Sequence, residues 1–175
     1  MENIDKQEVK KFSDLAEEWW NEKGDFKPLH VINPLRANYI KEKTDLTDKN
    51  ILDVGCGGGL LSEALHDLGG IVTGIDAAGP GIEVAKIHAK KNNKNISYFK
   101  KTAEVLNEEK SGTYDIVTCL EVLEHVPDPE NLVKTCTELL NPGGLLFLST
   151  INKNPRSWIT AIVGAEYIFN ILPKG

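Results

Sequence analysis

The chain has 175 residues, 41% of them hydrophobic and 26% charged, and carries a formal net charge of −6 at pH 7. That length fits one domain, able to bury about 70% of its unfolded surface. The acidic balance argues against a nucleic-acid partner: lysines gather over residues 86–101, but Glu83 and Glu104 flank them and no aromatic series alternates with them.

The N-terminus, MENIDKQEVKK, is polar and has no apolar h-region, so no secretory signal is expected there. Val9, Phe12, Ala16 and Trp19 then fall on one helical stripe, with Leu15 and Trp20 beside it. A polar linker containing Gly24 and Pro28 leads to a second predicted helix over residues 34–43. Strands are predicted near residues 50–54, 71–75, 96–99, 114–119 and 145–149, alternating with helical patterns. Asp128 before Pro129 reads as an N-cap followed by proline at the first helical position. Residues 141–144, Asn-Pro-Gly-Gly, read as a turn leading into the fifth strand. The alternation predicts an α/β fold, a Rossmann-like, doubly wound, mostly parallel sheet with helices on both faces.

Residues 50–59 read NILDVGCGGG, an apolar run ending near Asp53 and then Gly55, Gly57, Gly58 and Gly59. A helical pattern follows through Leu60, Leu61, Ala64, Leu65 and Leu68. Strand, glycine turn and helix form the nucleotide-cofactor corner of a doubly wound sheet, where a ligand lies almost against the main chain. The second strand ends in Asp76, whose carboxylate suits the two vicinal hydroxyls of a ribose. The dinucleotide fingerprint asks for Gly-x-Gly-x-x-Gly; Gly55 and Gly57 fit, but the last position falls on Leu60. A dinucleotide is thereby disfavoured against another ribose-bearing cofactor.

Ligands in such sheets bind at the carboxyl ends of the strands, so Gly55, Asp76 and Leu120-Glu121 should line one cleft. Glu121, Glu124 and His125 stand at i, i+3 and i+4, and a single helical turn would aim them the same way. Two carboxylates and an imidazole suit Mg²⁺. The same group could act without metal, His125 then taking a proton. The three cysteines, Cys56, Cys119 and Cys136, lack CxxC spacing, which fits a reducing compartment and no zinc site.

DVGCGGG, then GID, then YDIVTCLEVLEHVPDP, then LNPGGLLFLST resembles the motif order of class I S-adenosylmethionine (SAM)-dependent methyltransferases. More narrowly, FSDLAEEWWNEKGDFKPLHVINPLR and SWITAIVGAEYIFNILPKG are similar to the ubiquinone-biosynthesis O-methyltransferase family, which methylates polyprenyl catechols and hydroxyphenols. The resemblance covers Phe12 to Gly175, beyond which family members continue for several dozen residues. It implies SAM as methyl donor, with Asp53, Gly55, Gly57, Asp76 and Leu120 around it and Arg36 on its methionyl carboxylate. It also implies Glu121, Glu124 and His125 as magnesium ligands, with His125 and Glu121 catalytic. The implied partners are a polyprenyl phenol, an anionic phospholipid surface and other ubiquinone-biosynthesis enzymes.

On this reading residues 1–175 are one methyltransferase domain: a helical extension (1–45), a Rossmann-like core (46–151) and an apolar C-terminal segment (152–175). The last of these contains Trp158, Ile159, Ile162, Val163, Tyr167, Ile168 and Phe169, with Lys153 and Arg156 before it and Lys174 after. It is too short to span a bilayer but could rest on anionic lipid or pack on the sheet. The expected location is cytoplasmic, or peripheral on the inner face of the cytoplasmic or mitochondrial inner membrane. Three other readings stay open: a methyltransferase acting on another small phenol or acid, an NAD-dependent oxidoreductase, and a catalytically silent SAM- or lipid-binding module.

Overall fold

Side chains alternate across a strand, and the central strands here are apolar on both faces, as burial between two helical layers requires. In the computed structural model, which describes residues 3–14 and 18–150, β1 (Asn50–Val54) lies between β2 (Ile71–Asp76) and β4 (Tyr114–Leu120). β3 (Ser97–Lys100) adds beside β2 and β5 (Leu140–Ser149) beside β4, giving the order β3-β2-β1-β4-β5 with every pair parallel. The helices are α1 (Lys6–Asp14), α2 (Lys27–Lys43), α3 (Leu60–Asp67), α4 (Gly79–Lys91), α5 (Ala103–Lys110) and α6 (Pro129–Leu139). The predicted doubly wound architecture is the observed one.

The period of two sorts the core. Ile51, Val72 and Ile116 pack with Ile40 and Leu46 from the α2 side and with Leu65 of α3. Leu52, Val54, Ile75, Val117 and Cys119 face the other way, onto Leu106 of α5 and Leu132, Cys136 and Leu139 of α6. Asp53, between Leu52 and Val54, therefore points with Ile51 toward α3. The strand order reverses between β1 and β4, which fixes the cleft at their carboxyl ends.

Three local predictions change. Of the N-terminal stripe, Val9 and Phe12 lie in α1, Leu15 and Ala16 are outside the described residues, and Trp19 and Trp20 sit on a turn rather than a helix. The second helix begins at Lys27, with Pro28 in its first turn and Pro34 inside it. Proline lacks an N–H, so it is tolerated at a helix start but removes a bond in the interior. Here the Asn33 side chain donates to the Leu60 carbonyl at 2.9 Å, holding α2 to the start of α3. The fifth strand begins at Leu140 rather than 145, and Asn-Pro-Gly-Gly is a bulge inside it. Tyr114 pairs with Leu140 and Ile116 with Leu145, leaving Asp115 opposite residues 141–144. Asp115 accepts from the Asn50 N–H at 2.9 Å and the Asn141 side chain at 2.7 Å, which lower its pKa. The apolar segment 152–175 lies outside the described residues.

Candidate active site

The glycine turn leaves β1 with Gly55 at φ +72° and Gly57 at φ +51°, a region that side-chain-bearing residues rarely adopt. Both Gly55 and Cys56 donate their N–H to the Ile75 carbonyl, at 2.8 and 3.0 Å, tying the turn to β2. Close approach demands glycine as much as conformation does. A Cβ on Gly55 would lie 2.3 Å from Val122, and one on Gly57 2.0 Å from the Trp19 ring. Cys56 is buried, and desolvation raises its thiol pKa well above the ordinary value, so it stays neutral and fills space.

Asp76, at the tip of β2, shapes this turn. Its Oδ2 accepts from the Gly57 N–H at 2.9 Å and its Oδ1 from the Ala78 N–H at 2.7 Å. A carboxylate offers about four lone-pair sites, so each oxygen keeps capacity for a further donor. Burial raises its pKa, and the N–H groups of Ala78 and Gly57 oppose that rise. Asp53, also expected beside the donor, has different surroundings. It is 3% exposed, and both oxygens are taken, Oδ2 by the Ser62 hydroxyl at 2.6 Å and Oδ1 by the Thr118 hydroxyl at 2.8 Å. Desolvation lifts its pKa to about 6 against those two bonds. Buried as it is, Asp53 supports the turn from beneath, whereas Asp76 stands at the strand tip.

At the end of β4 the chain turns sharply. Glu121 takes φ +57°, and its N–H donates to the Ser149 carbonyl at 3.0 Å. The following Leu123–His125 is a short 3-10 turn. The expectation that Glu121, Glu124 and His125 share one helical face therefore fails. The Glu121 carboxylate accepts from Arg36 and from the Ser149 hydroxyl, each at 2.8 Å. Glu124 accepts from the Thr150 hydroxyl at 2.9 Å, and His125 Nδ1 lies 2.7 Å from Glu8 of α1. Among the described residues no group of three His, Cys, Asp or Glu side chains is arranged to hold a metal ion. The donor set, drawn to four separate partners and with Arg36 already on Glu121, does not fit Mg²⁺ as arranged.

Leu120 stands where expected, at the carboxyl end of β4. With Arg36, Tyr39, Ile40, Phe147, Leu148 and Ser149 it lines a cavity of about 190 Å³ between α2 and β5. The structure thus brings Gly55, Gly57, Asp76, Leu120, Glu121 and Arg36 to the carboxyl ends of β1, β2 and β4. Sequence reasoning missed Glu8, Ser62, Thr118 and the placing of Trp19 and Trp20. Only the hydroxyls carried a signal, as polar residues at positions that strand and helix periodicity assign to the core.

A parallel sheet in this order with a glycine turn and an acid at the second strand tip defines a Rossmann-like domain built for a ribose-bearing cofactor. A family model described as "Methyltransferase domain" matches residues 31–170. Among solved structures, magnesium protoporphyrin IX methyltransferase from Synechocystis, with bound SAM, is similar at a TM-score of 0.68 and 20% identity, over 93% of this chain and 88% of that one. Coclaurine N-methyltransferase bound to N-methylheliamine and SAH is similar at 0.58 and 22%, over 66% and 35%. The ubiquinone biosynthesis O-methyltransferase of Coxiella burnetii is 55% identical over 99% of this chain and 74% of its own length. Those of Saccharophagus degradans and Pseudomonas fluorescens are 52% and 51% identical, over 99% and 100% of this chain and 73% and 75% of theirs. The chain belongs to the ubiquinone biosynthesis O-methyltransferase family, and it is a SAM-dependent methyltransferase. The oxidoreductase reading is thereby set aside.

Proposed function

We propose that this chain transfers the SAM methyl group to a ring hydroxyl of a polyprenyl phenol or catechol, with the donor on the glycine turn and the acceptor over the end of β4. The carrying observation is Asp76: it holds the Gly57 N–H yet keeps lone pairs for the two hydroxyls of a ribose. Gly55 and Gly57 let the methionine part lie against the main chain, and the Leu120 backbone borders the sulfonium. Arg36 presents five N–H donors and spends one on Glu121, so its fork can also take the methionyl carboxylate.

The sulfonium already carries the leaving group, so the work left to the protein is aligning the acceptor oxygen and removing its proton. His125 is the base in this reading, its Nδ1 side held by Glu8. Glu121 acts by keeping Arg36 in place. A divalent ion, when bound, would stabilise a catecholate oxyanion. Because Glu121, Glu124 and His125 do not fit one as arranged, no step is assigned to it.

The test is transfer of label from methyl-labelled SAM to a short-chain polyprenyl catechol, before and after chelation. Labelled ether product that survives chelation is the expected result, and no product from any phenol would overturn the reading. Turnover lost on chelation and restored by Mg²⁺ would replace His125 with the metal as activator.

A polyprenyl tail partitions into a bilayer, which supports a peripheral site of action on an anionic inner membrane face. No helix among the described residues is long and apolar enough to cross a membrane. Co-sedimentation with anionic liposomes should depend on residues 157–175; binding unchanged by their deletion would end this part of the proposal.

A further inference from the structure

Four of the five residues of the glycine turn have no side chain with which to hold its shape, and glycine loses more freedom on ordering than any other residue. On its inner side the turn is held by the buried Cys56 and by its bonds to Ile75 and Asp76; its outer wall is supplied by Trp19 and Trp20, which precede the Rossmann-like core. The Trp19 ring lies so close that a Cβ on Gly57 or Gly58 would come within 2.0 or 2.2 Å of it. The Trp20 indole N–H donates to the Gly58 carbonyl at 2.9 Å. Unlike Gly55, Gly57 and Gly59, Gly58 does not have a positive φ.

Each tryptophan is itself held. The Trp20 ring stacks on His88 of α4, centroids 3.4 Å apart and planes within 7°. His88 Nδ1 lies 2.7 Å from the buried Glu63 carboxylate, and Lys94 reaches the same group at 3.4 Å. Glu63 belongs to α3, the helix that the glycine turn opens, and its N–H donates to the Gly59 carbonyl at 2.9 Å. His30 of α2 donates Nε2–H to the Trp19 carbonyl at 3.0 Å and meets the Trp20 ring edge-on. The chain of contacts closes on itself: turn, α3, Glu63, His88, Trp20, turn.

We infer that Trp20 is a positioning residue for the methyl donor, fixing the Gly58 carbonyl and with it the turn that receives SAM. This rests on the reading that the glycine turn holds SAM. A preformed turn spares the donor the cost of ordering it, so the effect belongs to donor affinity rather than to the chemical step.

Trp20→Phe keeps a ring on His88 and deletes the N–H. One neutral hydrogen bond is worth about fivefold in affinity. Trp20→Phe should therefore raise the KM for SAM and the calorimetric Kd of its demethylated product by about fivefold. The turnover number should stay within twofold and the KM for the phenol should not move, while the ligand-free melting temperature should fall by no more than a few degrees. Trp20→Ala should weaken the donor further. A Trp20→Phe variant with wild-type donor affinity, or one whose loss falls on turnover, would overturn the inference and leave Trp20 as packing. Should Trp20→Ala fail to fold, Trp20→Phe alone decides. Wild-type protein that binds neither SAM nor its product would instead sink the underlying placement of the donor.

Discussion

Asp76→Ala should raise the Kd for SAM by roughly 30- to 140-fold while the protein stays folded. The carboxylate is expected to accept from the ribose hydroxyls, and a hydrogen bond to a charged group contributes about 2–3 kcal/mol, which converts to that range. A second loss acts in the same direction. Asp76 also anchors the N–H groups of Gly57 and Ala78, at the turn and at the start of α4, so its removal loosens the surface on which the donor lies. Calorimetric titration of SAM into wild type and variant measures the sum. Asp76→Asn should fall between them, because an amide oxygen can still accept one N–H. Equal affinities in wild type and Asp76→Ala would place the donor elsewhere.

Asp53→Asn should gain stability relative to wild type as pH rises. The folded pKa of Asp53 is lifted by burial from 3.8 to about 6. Between those values the native state binds more protons than the unfolded chain, so wild-type stability falls as pH increases and levels off above the folded pKa. A shift of about two units corresponds to about 3 kcal/mol in full, of which about 2 kcal/mol develops between pH 4.5 and 8. Asparagine does not titrate there, and the Ser62 and Thr118 hydroxyls can rotate to meet its oxygen and its NH₂. Urea unfolding of both proteins across that range should show the difference widening with pH. A constant difference, or one that narrows, would contradict the buried placement. SAM affinity should change less than threefold, which separates Asp53 from Asp76.

These two acids show how far the sequence could be read. Asp53 stands one residue short of the end of its apolar strand and Asp76 at the end of its own, and both were assigned to the cofactor. Chain order alone cannot say that Asp53 points with Ile51 into a layer closed by α3 whereas Asp76 stands at an open strand tip. The Glu121–His125 segment shows a different failure. Spacing of i, i+3 and i+4 implies convergence only if the backbone is helical throughout, and the left-handed Glu121 breaks that condition. Arg36 on α2 and Glu8 on α1 then draw the side chains apart. At residues 141–144 the turn chemistry was legible, but its use was not. Pairing of Leu140 with Tyr114 extends the ladder past the turn and converts it into a bulge.

Glycines, strand-end acids and apolar periodicity act over a few neighbouring residues, so the order of residues alone determined the strands, the glycine turn and the fold class. Partners distant along the chain were decided only by tertiary structure. Trp19 and Trp20 reached the glycine turn, and Glu8 reached His125, because the packed sheet offered a bare backbone surface and an imidazole where the N-terminal segment crosses. A residue's neighbours through space depend on every intervening element, and no local pattern encodes them.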